Sequence, residues 1–451
     1  MVSKVTNLSK EVLSSKRGHL LRVLGVGFGI AVIIGNTIGA GILRSPGSIA
    51  AQLPNLWWYL GVWLIAGGYA LLGALSLSEL GAMLPRSGGQ YNFARYALGE
   101  YAGFIVGWTD WISTAGSCGA LALVAGGFTA ALFPALGGPG EIVVAIALTI
   151  FFALLQWRGV VLGSTAQNIT SLIKTVAFLI LIAAAFMRGT GGELAVTNHA
   201  IGPTGLAFLT ALIIALQGVI YTYDGWTGVI YFSEEVTNPG RDIPRAMIGG
   251  VLFVIAIYLL VNIGLLYVLR IPEFSGKDFA MGVVANTVFG HYGDTVFRSL
   301  TIISMLSAIN ACHLMATRVL FAMSRDGLFV ERAATVNPGG TPAFALLLSA
   351  AVAVLFILFG QTFENVITVL AFFFVATYAL SFLSVFVLRV REPDKERPYR
   401  AWGYPYTTGI ALVGSILFLG GAIKGNTRNS LYAVLLLALS YPVYRLAKKL
   451  A

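Results

Sequence analysis

Apolar runs long enough to cross a membrane recur from residue 23 almost to the end of this 451-residue chain. A helix that crosses a hydrocarbon core of about 30 Å needs about 20 mainly apolar residues. Twelve runs qualify: 23–52, 57–84, 102–133, 140–157, 165–187, 206–233, 246–269, 295–322, 343–360, 365–390, 406–424 and 430–446. They predict an all-α polytopic membrane protein with twelve transmembrane helices. The ten-residue alternating segments of a membrane barrel are absent from the sequence. Residues 1–22 are polar and basic, and the first apolar run is too long for the core of a cleaved leader, so a cytoplasmic tail is expected there.

The net charge of +10 does not point to nucleic acid, because the basic residues cluster at span ends and in loops. Of 29 Lys and Arg, 21 fall in the two tails and in the loops and span ends on the same side as the tails. Six fall in loops or at span ends on the other side, and two, Arg44 and Lys174, lie deeper within spans. That bias places both termini in the cytoplasm of a cell whose plasma membrane holds the protein. The two cysteines, Cys118 and Cys312, sit inside apolar runs and read as packed core residues. The inside loop 86–100, with Tyr91, Phe93, Tyr96 and Leu98 among polar residues, reads as a short interfacial helix. Residues 325–342 read as a shorter interfacial piece and a turn.

The first span carries Gly35-Asn-Thr-Ile-Gly39-Ala-Gly41-Ile42, three glycines within seven residues. Glycine costs about 1 kcal/mol relative to alanine inside a helix. Either the helix is opened there, or small residues admit a closely packed neighbour. An opened segment must line a cavity or be buried in protein, and the N–H groups of its second half favour an anion. The sixth span carries a second interruption, Tyr221-Thr-Tyr-Asp224-Gly-Trp226-Thr-Gly228. Paired interruptions at corresponding positions of two five-helix halves point to a substrate site.

These stretches have company. Gly39-Ala-Gly-Ile-Leu-Arg-Ser-Pro46, Ser78-Glu-Leu-Gly81, Pro85-Arg-Ser-Gly-Gly-Gln-Tyr91 and Tyr223-Asp-Gly-Trp226 lie in the first half or at its junction with the second. Glu234-Glu-Val-Thr-Asn-Pro-Gly-Arg-Asp-Ile-Pro-Arg245, Thr317-Arg-Val-Leu-Phe-Ala-Met-Ser-Arg-Asp-Gly327 and Arg397-Pro-Tyr-Arg-Ala-Trp-Gly-Tyr-Pro405 follow. As a set, in this order, they resemble the amino acid–polyamine–organocation transporters, especially the L-type amino acid transporter-like branch. The resemblance implies a leucine-transporter-like fold: inverted repeats at 23–187 and 206–390, then two extra helices and a tail at 391–451, with spans 1 and 6 broken. It implies an amino acid held between the breaks. Backbone N–H groups of the turn spanning Thr37, Ile38, Gly39, Ala40, Gly41 and Ile42 would take its carboxylate. Carbonyls of Tyr221, Thr222 and Asp224 would take its ammonium, with Trp226 nearby and Tyr221 closing from outside. Lys174 would occupy the place where sodium-coupled relatives bind sodium, touching the span-one break. The family's Gly-Ser-Gly is Gly-Ala-Gly here, so backbone donors replace a lost hydroxyl.

Lys174 also stands out without the resemblance, since an intramembrane lysine is expensive and is functional by default. Asp224 is expected to act through its carbonyl more than its carboxylate, and Asp110 is given a structural role ahead of a cavity one. His313 reads as a core residue, Arg44 as lining an outer vestibule, and Glu79 and Arg318 as gate or packing partners. Glu234 and Glu235 are expected to pair with Arg241 or Arg245. Of Phe372, Phe373 and Phe374, not all can face inward. The function expected is sodium-independent exchange of neutral L-amino acids by alternating access. Proton symport through Lys174, or transport of cationic amino acids or polyamines, are the alternatives. Two broken helices in one chain fit a channel or receptor poorly. No metal-ligand spacing, P-loop or nucleophile elbow points to an enzyme or a cofactor. The loop near 134–141 has no cysteine, so a disulfide-linked partner subunit is not expected.

Overall fold

A computed structural model describes residues 20–137, 139–197, 200–359, 363–425 and 427–450. Among these the only β-type pairing is an isolated bridge between Leu24 and Val236. The chain runs through α1 (Val26–Thr37), α2 (Ala40–Gln52), α3 (Leu56–Met83), α4 (Gln90–Leu98), α5 (Glu100–Leu132), α6 (Gly140–Trp157) and α7 (Val160–Arg188). It continues through α8 (Gly205–Tyr223), α9 (Pro239–Val268), α10 (Ala280–Phe289), α11 (Gly293–Arg325), α12 (Ala343–Phe359), α13 (Phe363–Arg391), α14 (Tyr406–Gly425) and α15 (Thr427–Leu450).

Every predicted span falls on a helix, and the predicted interfacial piece is α4. Nine described helical stretches are long and apolar enough to cross a membrane, or ten with the pair α1–α2 taken as one span bent by 44°. The helix α12 is shorter, and the polar C-terminal turns of α15 carry Arg445, Lys448 and Lys449. Twelve crossings therefore remain a proposal, whereas an integral, all-helical membrane protein follows directly. Leu172, Ile180, Leu206 and Leu417 are each more than half exposed, as lipid-facing side chains are.

Local chemistry sets several boundaries. The Asn55 side chain accepts from the backbone N–H of Trp57 and Trp58 at 3.1 and 3.3 Å and so starts α3. α9 begins at Pro239, seven residues before the apolar run at 246. Its first turns are polar and contain Arg241 and Asp242, and proline costs nothing at a first turn whose N–H groups are unpaired anyway. An apolar run marks the membrane core, and helices extend past it into the interface.

α11 is the central post, packed against α5, α7 and α12, and α9 lies along α3 and α1. One face of the molecule is held by ion pairs. Glu235 meets Arg318 at 3.0 Å with both side chains essentially inaccessible, and Glu234 meets Arg325 at 2.8 Å. The expected pairing of Glu234 or Glu235 with Arg241 or Arg245 is thus replaced: Arg241 pairs with its neighbour Asp242, and the two glutamates turn toward α11. The segment after α8 folds back under the bundle, so sequence neighbours are not the nearest cations. Glu79 accepts from Arg389, Arg397 and the Ala401 N–H, tying the 392–405 linker to α3. The Tyr96 hydroxyl at 2.9 Å, with Lys395 beside it, holds the Glu392 carboxyl below the usual carboxylate range.

Candidate functional site

The first break is two residues long. Ile38 and Gly39 leave helical geometry between α1 and α2, and no side chain caps α2. The three glycines divide the two sequence readings between them. A Cβ at Gly35 would lie 1.8 Å from the Gln167 amide nitrogen, and one at Gly41 would lie 2.9 Å from Thr222 Cα. Those two glycines serve close approach. Gly39 sits in the open turn, with nothing nearer than 3.8 Å to such a Cβ.

Breaking a helix leaves carbonyls without intrahelical donors. Here side chains from three other helices supply them. Lys174 on α7, 1% exposed, donates its Nζ to Gly35 O at 2.8 Å and Ile38 O at 2.6 Å. Ser304 on α11 donates to Ile38 O at 2.9 Å. The Tyr258 hydroxyl on α9 lies 2.7 Å from Thr37 O and 2.8 Å from Thr222 O, bridging the two interrupted helices. Lys174 therefore touches the first break, as expected, and its cation faces the negative end of α1. Gln167, Ser171, Ser307 and Asn310 form a hydrogen-bonded set behind α1 that also reaches Ala31 O.

The second break follows Tyr223. Asp224 is extended and Gly225 has φ +108°, a conformation that favours glycine, before a 3-10 turn at Gly228–Phe232. A Cβ at Gly225 would also meet Thr37 N at 2.9 Å. The Asp224 N–H donates to Tyr221 O at 3.0 Å, and its carboxylate accepts from the Tyr378 hydroxyl.

Between the breaks lies a cavity of about 50 Å³. It is lined by Thr37, Gly39, Ala40 and Gly41 from the first break and by Tyr221, Thr222 and Asp224 from the second. Gln90, Thr114, Ser117, Tyr231, Cys312 and Tyr378 add polar groups, and Leu121, Met315 and Phe374 add apolar ones. One water needs about 10–15 Å³, so the space amounts to a few waters' worth of volume. The Thr37 hydroxyl is buried without a hydrogen-bond partner among the described residues, and Thr37 lines this space. No Lys, Arg or His is among the residues that line it, and Asp224 is their one acid.

Three of the expected substrate-binding residues do not line the cavity, and neither does Lys174. Ile38 and Ile42 bury their side chains in the core, and Trp226 packs against the Tyr378 ring with centroids 5.0 Å apart and planes tilted by 40°. Asp110 holds the Tyr231 hydroxyl at 2.7 and 2.9 Å, the structural role expected. His313 is buried with Nε2 3.5 Å from Cys118 Sγ. Arg44 stacks over Phe279 at 5.0 Å. Phe374 faces the cavity, whereas Phe372 and Phe373 pack with Leu370 and Ala433. Tyr258 and Ser304 were not picked out from the sequence. An isolated tyrosine in Ile-Ala-Ile-Tyr-Leu-Leu was the available signal for the first, and the buried, phaseless α11 offered none for the second.

A family model for amino acid permeases matches residues 29–439. The chain belongs to that family. This permease is 29% identical over 435 residues to the serine/threonine exchanger SteT of Bacillus subtilis, covering 95% of this chain and 98% of the relative. It is 27% identical to the mouse b(0,+)-type amino acid transporter 1, over 96% of this chain and 86% of that one. It is 26% identical to the mouse Asc-type amino acid transporter 1, over 86% and 74% respectively.

Proposed function

We propose that this permease exchanges small neutral L-amino acids across the plasma membrane by alternating access, without sodium. The observation that carries the reading is the cavity held between an uncapped helix start at Gly39–Ala40 and the interrupted end of α8. The α2 start offers N–H groups to a carboxylate, and the Tyr221, Thr222 and Asp224 carbonyls offer acceptors to an ammonium. Relatives named as amino acid transporters or exchangers, including one named for serine and threonine, support an amino acid exchanger. A neutral side chain is supported by the lining, which has no cation for an acidic substrate and whose one acid is engaged by Tyr378. Small size is supported by the volume between the breaks, about 50 Å³.

Sodium independence rests on Lys174, whose ammonium already serves the Gly35 and Ile38 carbonyls. The same buried lysine is what a proton-coupled mechanism would use. Both cysteines are buried and unpaired, in keeping with a subunit that works without a disulfide-linked partner. The inverted repeats at 23–187 and 206–390, and two cytoplasmic termini, complete the proposal. Uptake of labelled amino acids into proteoliposomes, empty or preloaded with unlabelled ones, tests it. Uptake only into preloaded vesicles and indifferent to sodium supports exchange. Uptake into empty vesicles that collapses with the proton gradient would replace exchange by symport, and no uptake of any amino acid would refute the substrate class.

A further inference from the structure

A second cavity, about 750 Å³, opens on the outer face of α3, α8 and α14. Its size is within the roughly 300–1,000 Å³ of sites that hold drug-sized ligands. Its rim is Leu64, Ile65, Ile213, Ile410, Ile416 and Leu417, all exposed side chains on membrane-spanning helices. Its floor is shaped by glycine. Gly414 lies against the Tyr69 ring, and a Cβ added at Gly68 or Gly420 would meet nothing within 4 Å. The Gln217 amide nitrogen on this floor is buried and has no partner among the described residues.

This groove backs onto the substrate site. A small void lies between the two, and Ile220 and Phe418 line both it and the groove. Tyr221, Asp224, Phe374 and Tyr378 line both that void and the substrate cavity. The groove and the substrate cavity are thus separated by two thin walls with this void between them, at the point where α8 is interrupted.

We propose that the groove seats one acyl chain of a bilayer phospholipid, braced against Ile220 and Phe418. The groove is continuous with the lipid-facing surface, where the solvent is acyl chains and a void of this size loses dispersion contacts on every wall. A second copy of the chain would need a broad face of about 800 Å² per partner, whereas this is a concave slot suited to something thin and flexible. An occupant that supports the partition couples the packing of the lipid chain to the movement of α8 that exchange requires.

The test uses the full chain in vesicles containing a phosphatidylcholine with a photoreactive diazirine in mid-chain. In the wild type, labelling of the α3, α8 and α14 peptides around Gly68, Gln217 and Gly420 should saturate at low mole fraction and be displaced by unlabelled lipid. Gly68→Leu and Gly420→Leu fill the groove from within, and each should cut that labelling by about tenfold or more, because overpacking excludes the chain. Labelling of α7, which lies outside the groove, should not change. Wild-type labelling that rises linearly with lipid and is no stronger than on α7 would overturn the proposal. So would a groove that retains only detergent, or that crosslinks to a second copy of the chain. Lipid labelling is read without transport, so the result stands apart from the assignment of exchange.

Discussion

Replacing Lys174 by alanine removes two short bonds from the first break. The ammonium donates to Gly35 O at 2.8 Å and to Ile38 O at 2.6 Å in a site where the lysine is 1% exposed. A hydrogen bond to a charged group is worth about 1.5–3 kcal/mol net, so two are worth about 3–6 kcal/mol. Water entering the space left by the side chain, and Ser304, which keeps its 2.9 Å bond to Ile38 O, recover part of that. About 3 kcal/mol remains, which corresponds to an exchange rate reduced by about 100-fold or more if the break must hold this shape at the barrier. The assay is counterflow of a labelled neutral amino acid into preloaded proteoliposomes, with equal amounts of monodisperse protein. Lys174→Met, which keeps the apolar stem but not the ammonium, should lose nearly as much, separating charge from packing. Sodium should do nothing to the wild type and should partly restore Lys174→Ala, because it can take up the same two carbonyls. Exchange by both variants within about threefold of wild type would refute the reasoning, since the two bonds would then contribute under 1 kcal/mol.

Tyr258→Phe removes the hydroxyl shared by Thr37 O and Thr222 O, a loss of about 1 kcal/mol that should slow exchange about fivefold with little change in melting temperature. Glu235→Gln leaves the inaccessible Arg318 guanidinium without its counter-charge, at a cost of about 3–5 kcal/mol. Its melting temperature in detergent should fall further than that of Glu234→Gln, whose pair with Arg325 is about one-fifth exposed. Equal shifts would contradict the burial argument. Asp224→Asn keeps the main-chain carbonyl and an acceptor for Tyr378, so exchange should fall by less than about tenfold. A loss beyond about 100-fold would place the carboxylate itself on the substrate ammonium.

Much of this architecture is written in residue order. Hydrophobic length located the long helices because lipid demands it, though not the short α10 between two runs, and the glycines around Ile38 and the pair Asp224-Gly225 marked both breaks. What could not be read is what depends on helix phase. α11 is buried on nearly all sides over 33 residues, so no polar face told Ser304, Ser307 and Asn310 apart from their neighbours. The glycine cluster itself was ambiguous for a physical reason. Opening a helix and admitting a neighbour both call for a missing Cβ, and here Gly39 does the first while Gly35 and Gly41 do the second. The partners of Glu234 and Glu235 were misread because their segment folds under α11, and charge pairing over 83 and 91 residues leaves no local trace.

The contacts around the breaks fall into two sets with different consequences for a moving carrier. One set binds the breaks to each other: Gly41 against Thr222, Ser45 Oγ at 2.8 Å from Thr222 Oγ1, Gly225 against Thr37, and the Tyr258 bridge. Gly41 and Gly225 let the two breaks approach more closely than a Cβ would allow. In the proposed cycle the two interrupted helices therefore move as one body. The other set binds that body to its surroundings: Tyr231 on Asp110, and Glu235 on Arg318. In the proposed cycle only this second set must be broken and remade. Its buried ion pair alone is costly to separate, about 3–5 kcal/mol if one charge is left unpaired. An empty carrier has nothing to offset that cost. A bound amino acid brings its own carboxylate and ammonium to the helix ends at the breaks, adding bonds that can lower the barrier. That asymmetry is the physical basis for expecting reorientation with substrate to outrun reorientation without it, which is what makes a carrier an exchanger.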